Sequence, residues 1–231
     1  MLPLRGTSFS SPRRAHRAFP LCAIMAKNEK YKMTDKTENL KQIDSLDFRN
    51  NKKQLIVSYF LRVIGVIVFG YIFLLITRVL GGNSDIALKE LISIEIKSFP
   101  AILSIILIVL DVVFVIFFHE LIHASVVFLT HRQKPNIGIR GLIIYAAAPE
   151  SVLTKPQFII MALAPFVAIS IIGSVLIYLL PQSFWPWVFI PIVVNAAAAA
   201  GDFMAVLWAL KQPENAKFID EGDVTYAYIN Q

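Results

Sequence analysis

The chain has 231 residues, of which 56% are hydrophobic and only 16% are charged, and its formal net charge is +6. An average soluble domain carries about 25% charged residues, so the composition argues against a soluble protein and predicts an integral membrane protein. Most basic residues precede the first apolar run, a pattern that sets membrane orientation and does not favour nucleic-acid binding. The single cysteine, Cys22, excludes an internal disulfide and a cysteine-based metal site.

Residues 1–49 form a polar lead, which we expect to lie outside the membrane domain. Arginines, serines and prolines dominate its first part, and its first acidic residue is Glu29. This composition is typical of a disordered extension, of a transit peptide, or of an upstream stretch translated before a true start at Met25. No apolar segment follows the arginines, so a secretory signal is not predicted.

Four apolar runs follow, each long enough to cross a hydrocarbon core of ~30 Å as a helix. They cover about residues 55–80, 99–130, 157–180 and 184–210. The predicted fold is an all-α integral membrane protein with four transmembrane helices in a domain of residues 50–211. Residues 212–231, with several acidic side chains including Asp220, are expected to form a solvated tail.

The segment between the second and third runs changes character, because residues 136–145 favour an extended conformation. We expect a short β segment in this loop, either holding a substrate peptide by strand addition or forming a plain interfacial loop. Lysines and arginines are numerous before residue 55 and in 131–156, and scarce in the 81–98 and 181–183 links. The distribution places this loop and both termini in the cytosol.

The second run contains the motif His119-Glu120-Leu121-Ile122-His123. On a helix the two histidines lie one turn apart, about 6 Å along the axis, so both imidazoles can bind one tetrahedral cation. Glu120 lies beside such a cation, as in HExxH zinc hydrolases, where the glutamate is the general base for a zinc-activated water. An ionisable group at bilayer depth costs about 3 kcal/mol, so three of them favour a function over chance.

A catalytic zinc needs a third protein ligand, which elimination identifies as Asp202. Of the remaining histidines, His16 lies in the polar lead and His131 about 12 Å beyond the motif on the same helix. Asp111 lies about 12 Å before the motif and is either a structural hydrogen-bonding group or a proton relay. Asp202 is the only ionisable side chain of the last two runs, and its depth matches that of His119.

Asn195 precedes Asp202 by seven residues and therefore lies on nearly the same helix face, about 10 Å away. Two roles are open for it. Its amide either binds the substrate backbone or the developing oxyanion, or hydrogen-bonds across the helices.

These motifs resemble those of a zincin peptidase family of short bacterial membrane proteins, which is in turn similar to the site-2 proteases. The resemblance covers about residues 50–223 and is carried by Phe118 to Ala124, Ala164-Pro165, Asn195 with Gly201-Asp202, and Gln212-Pro213. It implies zinc on His119, His123 and Asp202, Glu120 as the base, and a location in the bacterial cell membrane. Site-2 proteases have an Asp-Gly pair, whereas this chain has Gly201-Asp202 without a proline between Asn195 and Asp202.

The sequence therefore predicts an intramembrane zinc metallopeptidase that cleaves a transmembrane protein or peptide substrate. Two alternatives remain open. A metal-binding or transport protein needs the ligands but not Glu120, and a catalytically silent scaffold would bind a partner helix through the small residues 196–201.

Overall fold

The computed structural model describes residues 39–48, 50–82, 85–92, 101–131, 136–140, 143–147, 151–222 and 224–231. The predictions for residues 1–38, with His16 and Cys22, lie outside the described residues. The elements in chain order are β1 (Leu40–Asp47), α1 (Lys52–Leu80), α2 (Leu88–Ile92), α3 (Ala101–His131), β2 (Asn136–Arg140), β3 (Ile143–Ala147), β4 (Leu153–Thr154), α4 (Lys155–Leu179), a 3₁₀ turn (Gln182–Phe184), α5 (Trp185–Ala198), α6 (Ala200–Lys211), β5 (Lys217–Asp220) and β6 (Val224–Asn230).

Four helical stretches are long and apolar enough to cross a membrane: Lys52–Leu80, Ile105–Thr130, Lys155–Leu179 and Gln182–Lys211. They coincide with the four predicted runs. Large apolar side chains of α1 and α3 stay exposed, among them Ile67 and Ile102. Exposed apolar surface on this scale is typical of helices that face lipid.

Local signals set the starts of two of these helices. The Asn51 side chain accepts hydrogen bonds from the backbone N–H groups of Lys53 and Gln54 and thereby caps α1. Thr154 and Gln157 form a capping box at the start of α4, and a proline occupies its first turn.

The fourth span consists of two helices, α5 and α6, separated at Ala199. The ψ angle of Ala199 is −1°, far from the helical value of about −42°. The sequence had predicted one continuous helix here, since a run of alanines contains no helix breaker. The break lies between Asn195 and Asp202, the two polar residues of this span.

Strands at both ends of the described chain form a four-stranded antiparallel sheet in the order β1-β6-β5-β4. This sheet departs from the all-α prediction, from the boundary expected at residue 50 and from the solvated tail expected at 212–231. Phe218 and Ala227, both in that predicted tail, are fully buried. β-Branched and aromatic residues in 224–230 favour a strand, but its partner β1 lies far away in the sequence.

The extended segment predicted between the second and third spans is present as the antiparallel hairpin β2–β3. The larger sheet also bears on topology. It joins β1 before the first span, β4 before the third, and β5 and β6 after the fourth, so the segments predicted on one side of the membrane share one sheet.

Two apolar clusters hold the helices together. The first joins α1, α2, α4 and α5 and contains Phe73, Leu74, Ile86, Leu91, Ile177, Trp185, Val188, Phe189, Ile192, Val193 and Ala196. The second joins α3, α4 and α6 to the sheet and contains Val127, Leu153, Phe158, Met161, Ala209, Ala216, Phe218 and Ala227. The candidate site lies where these two clusters meet, because Asn195 adjoins the first and the Met161 carbonyl belongs to the second.

Half of the small residues 196–201 are buried within the chain. Ala196, Ala199 and Ala200 are almost fully buried, and a Cβ added at Gly65 of α1 would lie 3.6 Å from the Cα of Ala197. Close backbone approach is what small residues permit, and here it brings α1 against α5. Part of the face that the scaffold alternative assigns to a partner helix therefore packs against α1, and that alternative stays a prediction.

Candidate metal centre

Three side chains from two helices converge at one point. Nε2 of His119 lies 3.1 Å from Oδ2 of Asp202 and 3.2 Å from Nε2 of His123. Nε2 of His123 in turn lies 3.5 Å from Oδ1 of Asp202. The side chains of His119, His123 and Asp202 are 5%, 12% and 24% exposed. The structure thus brings together the three residues that the sequence singled out as metal ligands.

The outer nitrogen of each imidazole faces an oxygen acceptor. Nδ1 of His119 lies 2.8 Å from Oδ1 of Asn195, and Nδ1 of His123 lies 2.9 Å from the carbonyl oxygen of Met161. An oxygen of this kind only accepts, so each Nδ1 carries the proton and donates it. In both neutral rings the lone pair then sits on Nε2 and points towards Asp202.

This donor set fits a zinc ion. Two imidazole nitrogens and a carboxylate oxygen are the three protein ligands of many catalytic zinc sites, which leave a fourth position for water or substrate. Ligand atoms about 2.0 to 2.2 Å from a tetrahedral zinc ion lie about 3.4 Å from one another. The two Nε2 atoms are 3.2 Å apart, and each lies 3.1 to 3.5 Å from its nearer Asp202 oxygen, Oδ2 for His119 and Oδ1 for His123, so the three groups are close enough to share one ion.

The break at Ala199 sets the position of Asp202. A new helix starts at Ala200, so Asp202 falls in its first turn, where the helix dipole favours a negative charge. The neighbouring Phe203 stacks on Phe69 of α1 and meets Phe166 of α4 edge to face. This three-ring contact fixes the first turn of α6 against both neighbouring helices and thereby fixes the carboxylate.

Residues 112–217, just under half of the chain, match the model of a protein family described as "Putative zincin peptidase". Residues 112–217 are thus similar to this family. The matched range contains both histidines, Glu120, Asn195 and Asp202, and the predicted resemblance to this family is confirmed. The further resemblance to site-2 proteases stays a prediction. No curated protein and no solved structure matches the chain significantly.

Within the matched range, Asn195 lies inside the protein and is only 1% exposed. Its Oδ1 faces His119 of α3, and its Nδ2 donates to the carbonyl oxygen of Pro165 of α4, 3.4 Å away. These contacts are hydrogen bonds across helices, one of the two roles that the sequence left open. The other role, substrate binding, stays a prediction.

Glu120 follows His119 directly on α3 and is partly exposed. It interacts electrostatically with His123, as expected of a carboxylate beside the metal rather than on it, and its role as a base stays a prediction. Asp111 lies eight residues before His119, about 12 Å along the helix. The candidate group of ligands that the structure brings together does not include Asp111.

Asp220, at the end of β5, was expected in a solvated tail and lies instead near the site. Burial raises the pKa of this carboxyl to about 6, and hydrogen bonds from the Gly222 N–H and the Thr225 hydroxyl oppose that rise. Its charge also interacts with His123 and Asp202. The sequence signal for this placement was weak, because only Phe218, Ile219 and the β-branched and aromatic residues of 224–230 distinguish the chain end from a solvated tail.

Met161 is the other residue that sequence reasoning missed. It contributes a backbone carbonyl to His123, and a backbone acceptor leaves no side-chain signature in the motif. The general expectation of an acceptor behind each zinc-binding histidine is met by this carbonyl and by Asn195.

Proposed function

We propose that the chain is a zinc metallopeptidase that cleaves peptide bonds of membrane-embedded substrates. The observation that carries the proposal is the convergence of two Nε2 atoms and one carboxylate at separations of 3.1 to 3.5 Å. Both histidine tautomers are set for this arrangement by acceptors on their outer nitrogens. The match of residues 112–217 to the zincin peptidase family gives independent support for a metallopeptidase.

The chain's own groups would divide the work as follows. His119, His123 and Asp202 would hold zinc, which when bound activates water and polarises a substrate carbonyl. Glu120, beside His123, would take the proton from the attacking water and pass it to the leaving amine. Asn195 and Met161 would hold the two rings in place through their Nδ1–H groups.

Two features support access for water and substrate. Asp202 is the most exposed of the three ligands, and a Cβ added at the adjacent Gly201 would meet no atom within 4 Å. There is therefore open space at the residue that precedes Asp202. The hairpin β2–β3 begins a few residues after α3 ends, and its edge would hold a substrate in the extended form that cleavage requires.

Purified protein and three substitutions test the proposal. The substrate is a mixture of synthetic single-span transmembrane peptides, cleavage is followed by mass spectrometry, and bound zinc is measured by atomic absorption. We expect Glu120→Gln to retain zinc and lose cleavage, because the amide cannot accept the proton. We expect His119→Ala to lose both. Glu214→Gln is the matched control, because its carboxylate is 92% exposed and follows the end of α6 that is opposite Asp202.

Two results would overturn the proposal. If Glu120→Gln cleaves as fast as the wild type, the glutamate is not the base. If the wild type binds zinc and releases no product from any peptide, the chain is a metal-binding protein rather than a peptidase.

A further inference from the structure

The third span contains a proline, Pro165, at a position with a specific consequence. In an α-helix each backbone N–H donates to the carbonyl four residues earlier. Proline has no N–H, so in α4 the carbonyl oxygen of Met161 lacks its usual intrahelical donor. That same oxygen accepts the hydrogen bond from Nδ1 of His123 at 2.9 Å. The hydrogen bond that the Met161 carbonyl loses within α4 because of Pro165 is therefore replaced by one from His123 of α3, a candidate zinc ligand.

The second histidine is tied to the same turn of α4. The carbonyl oxygen of Pro165 accepts a hydrogen bond from Nδ2 of Asn195, and Oδ1 of Asn195 accepts one from Nδ1 of His119. One turn of α4, from Met161 to Pro165, therefore sets the outer nitrogens of both rings. It does so directly for His123 and through one amide for His119.

We propose that Pro165 is a positioning residue of the metal centre, acting by withholding a backbone N–H from the Met161 carbonyl so that this carbonyl orients His123. The inference rests on the metal site of the proposed function but not on peptide cleavage. Pro165 itself touches neither ring through its side chain in this role, and its effect passes through the Met161 oxygen.

A purely structural role for Pro165 makes a different prediction. A buried proline also bends a helix and fills space, and Pro165 is fully buried. The chain offers a comparison, because Pro191 is likewise buried inside a helix, α5. If bending alone matters, removing either proline should disturb the site similarly. If the missing N–H matters, only position 165 should do so.

The decisive pair of variants places a methyl side chain at position 165 with and without an N–H. Pro165→Ala restores the N–H, whereas Pro165→lactic acid, introduced by nonsense suppression, carries the same methyl group on an ester that has no N–H. Zinc affinity is measured on the full-length protein in detergent micelles by competition with a chromogenic chelator. We expect Pro165→Ala to weaken zinc binding about 10- to 100-fold, the usual effect of losing a partner behind a metal ligand. The lactic acid variant and Pro191→Ala should stay within about threefold of the wild type.

A spectroscopic readout separates positioning from loss of fold. Long-range ¹H–¹⁵N correlation spectra of the wild type, with and without zinc, should show the His123 proton on Nδ1, and Pro165→Ala should shift part of the population to the other tautomer. This measurement needs neither cleavage nor bound zinc. It therefore tests the proposal even if the peptidase function fails.

Three results would overturn the proposal. The first is a Pro165→Ala variant that binds zinc as tightly as the wild type. The second is an equal loss of affinity in the alanine and lactic acid variants, which would assign the effect to the proline ring. The third is a wild-type His123 that carries its proton on Nε2, and this last result applies even if neither variant folds.

Discussion

The two ends of α6 are both polar and both partly enclosed, yet their groups are arranged in opposite ways. At the first end, the lone pairs of two imidazole nitrogens and the Asp202 carboxylate point at one another across 3.1 to 3.5 Å. At the other end, Nζ of Lys155 donates to the carbonyl oxygens of Leu210 and Gln212 and to Oε1 of Glu214. At the Lys155 end, three oxygen acceptors surround one ammonium group. At the Asp202 end, two imidazole nitrogens and a carboxylate, all acceptors, face one another.

A second contact completes the Lys155 end. Oδ2 of Asp44 in β1 accepts hydrogen bonds from Nε1 of Trp208 and from the amide nitrogen Nε2 of Gln212, each at 2.8 Å. Burial pushes the pKa of Asp44 upward, but hydrogen bonds from Trp208, Ser45 and Gln212 outweigh burial and hold that pKa below its usual range. Lys155 and Asp44 thus each have hydrogen-bond partners within the chain.

Whether donors and acceptors are matched distinguishes a structural polar cluster from a site that needs a ligand. Buried polar groups are normally matched, donor to acceptor, because an unmatched one costs about 1 to 3 kcal/mol. The Lys155 end obeys this rule by itself. With both imidazoles neutral and protonated on Nδ1, the Asp202 end obeys it when a cation joins the three acceptors, and a metal ion held by two imidazoles and a carboxylate supplies that charge.

The largest effect, on zinc affinity, is expected at the Asp202 end of α6. Asp202→Ala removes one of three ligand groups, and zinc affinity should fall by more than about 100-fold, since even the loss of a partner behind a ligand costs about 10- to 100-fold. Asp111→Ala, on the helix that carries both histidines, is the matched control and should retain zinc. Isothermal titration with zinc measures both. Full zinc affinity in Asp202→Ala would remove the distinction between the two ends of α6.

Substitutions at the Lys155 end of α6 should change stability instead of zinc affinity. Lys155→Met leaves the Leu210 and Gln212 carbonyls without their charged donor, and hydrogen bonds to charged groups contribute about 1.5 to 3 kcal/mol. We expect the free energy of unfolding in detergent to fall by about 3 kcal/mol while the zinc affinity of the folded protein is kept. Glu214→Gln should change stability by less than about 0.5 kcal/mol, because that carboxylate is 92% exposed. A Lys155→Met variant as stable as the wild type would contradict this account.

Asp220 should make the free energy of unfolding depend on pH. Its pKa is raised to about 6 from 3.8 by burial, so the folded state binds the proton more tightly than the unfolded state. The group therefore favours folding below about pH 4, and this contribution is lost as the pH rises through 6. Asp220→Asn keeps an Oδ1 acceptor for Gly222 and should be more stable than the wild type at pH 7 by about 2 to 3 kcal/mol.

The measurement for Asp220 is the difference in unfolding free energy between variant and wild type, taken with a metal chelator at pH 4 and pH 7. A difference that is the same at both pH values would show that Asp220 is not buried near the site.

The contrast between the two ends also explains what the sequence could predict. His119, His123 and Asp202 were predicted because ionisable side chains in apolar runs are rare and costly, so few residues competed for the role. Glu214 and Lys155 lie at the helix ends, where charge is ordinary, and gave no signal. The pairing of β1 with β6 was equally hidden, because strand partners far apart in sequence are chosen by tertiary packing.

Two backbone features needed the structure for another reason. The break at Ala199 occurs in a sequence with high helix propensity and is set by packing against α1 and α4. The role of the Met161 carbonyl depends on a contact with His123, although Pro165 four residues later marks which carbonyl loses its donor. A proline inside a membrane helix thus identifies a free carbonyl but not the group that binds it.

The smallest effect is expected from a methyl group added at each of two glycines. A Cβ at Gly201, next to Asp202, meets no atom within 4 Å, whereas a Cβ at Gly173 of α4 would overlap the Ile192 side chain of α5. Gly201→Ala should raise stability by up to about 1 kcal/mol, because alanine loses less backbone entropy in a helix, and should leave zinc affinity unchanged. Gly173→Ala should lower stability by about 1 kcal/mol or more through overpacking. Thermal unfolding of the two variants compares them directly. A destabilised Gly201→Ala would mean that the space around Gly201 is filled, so that the Asp202 end of α6 is as tightly packed as the rest of the helix.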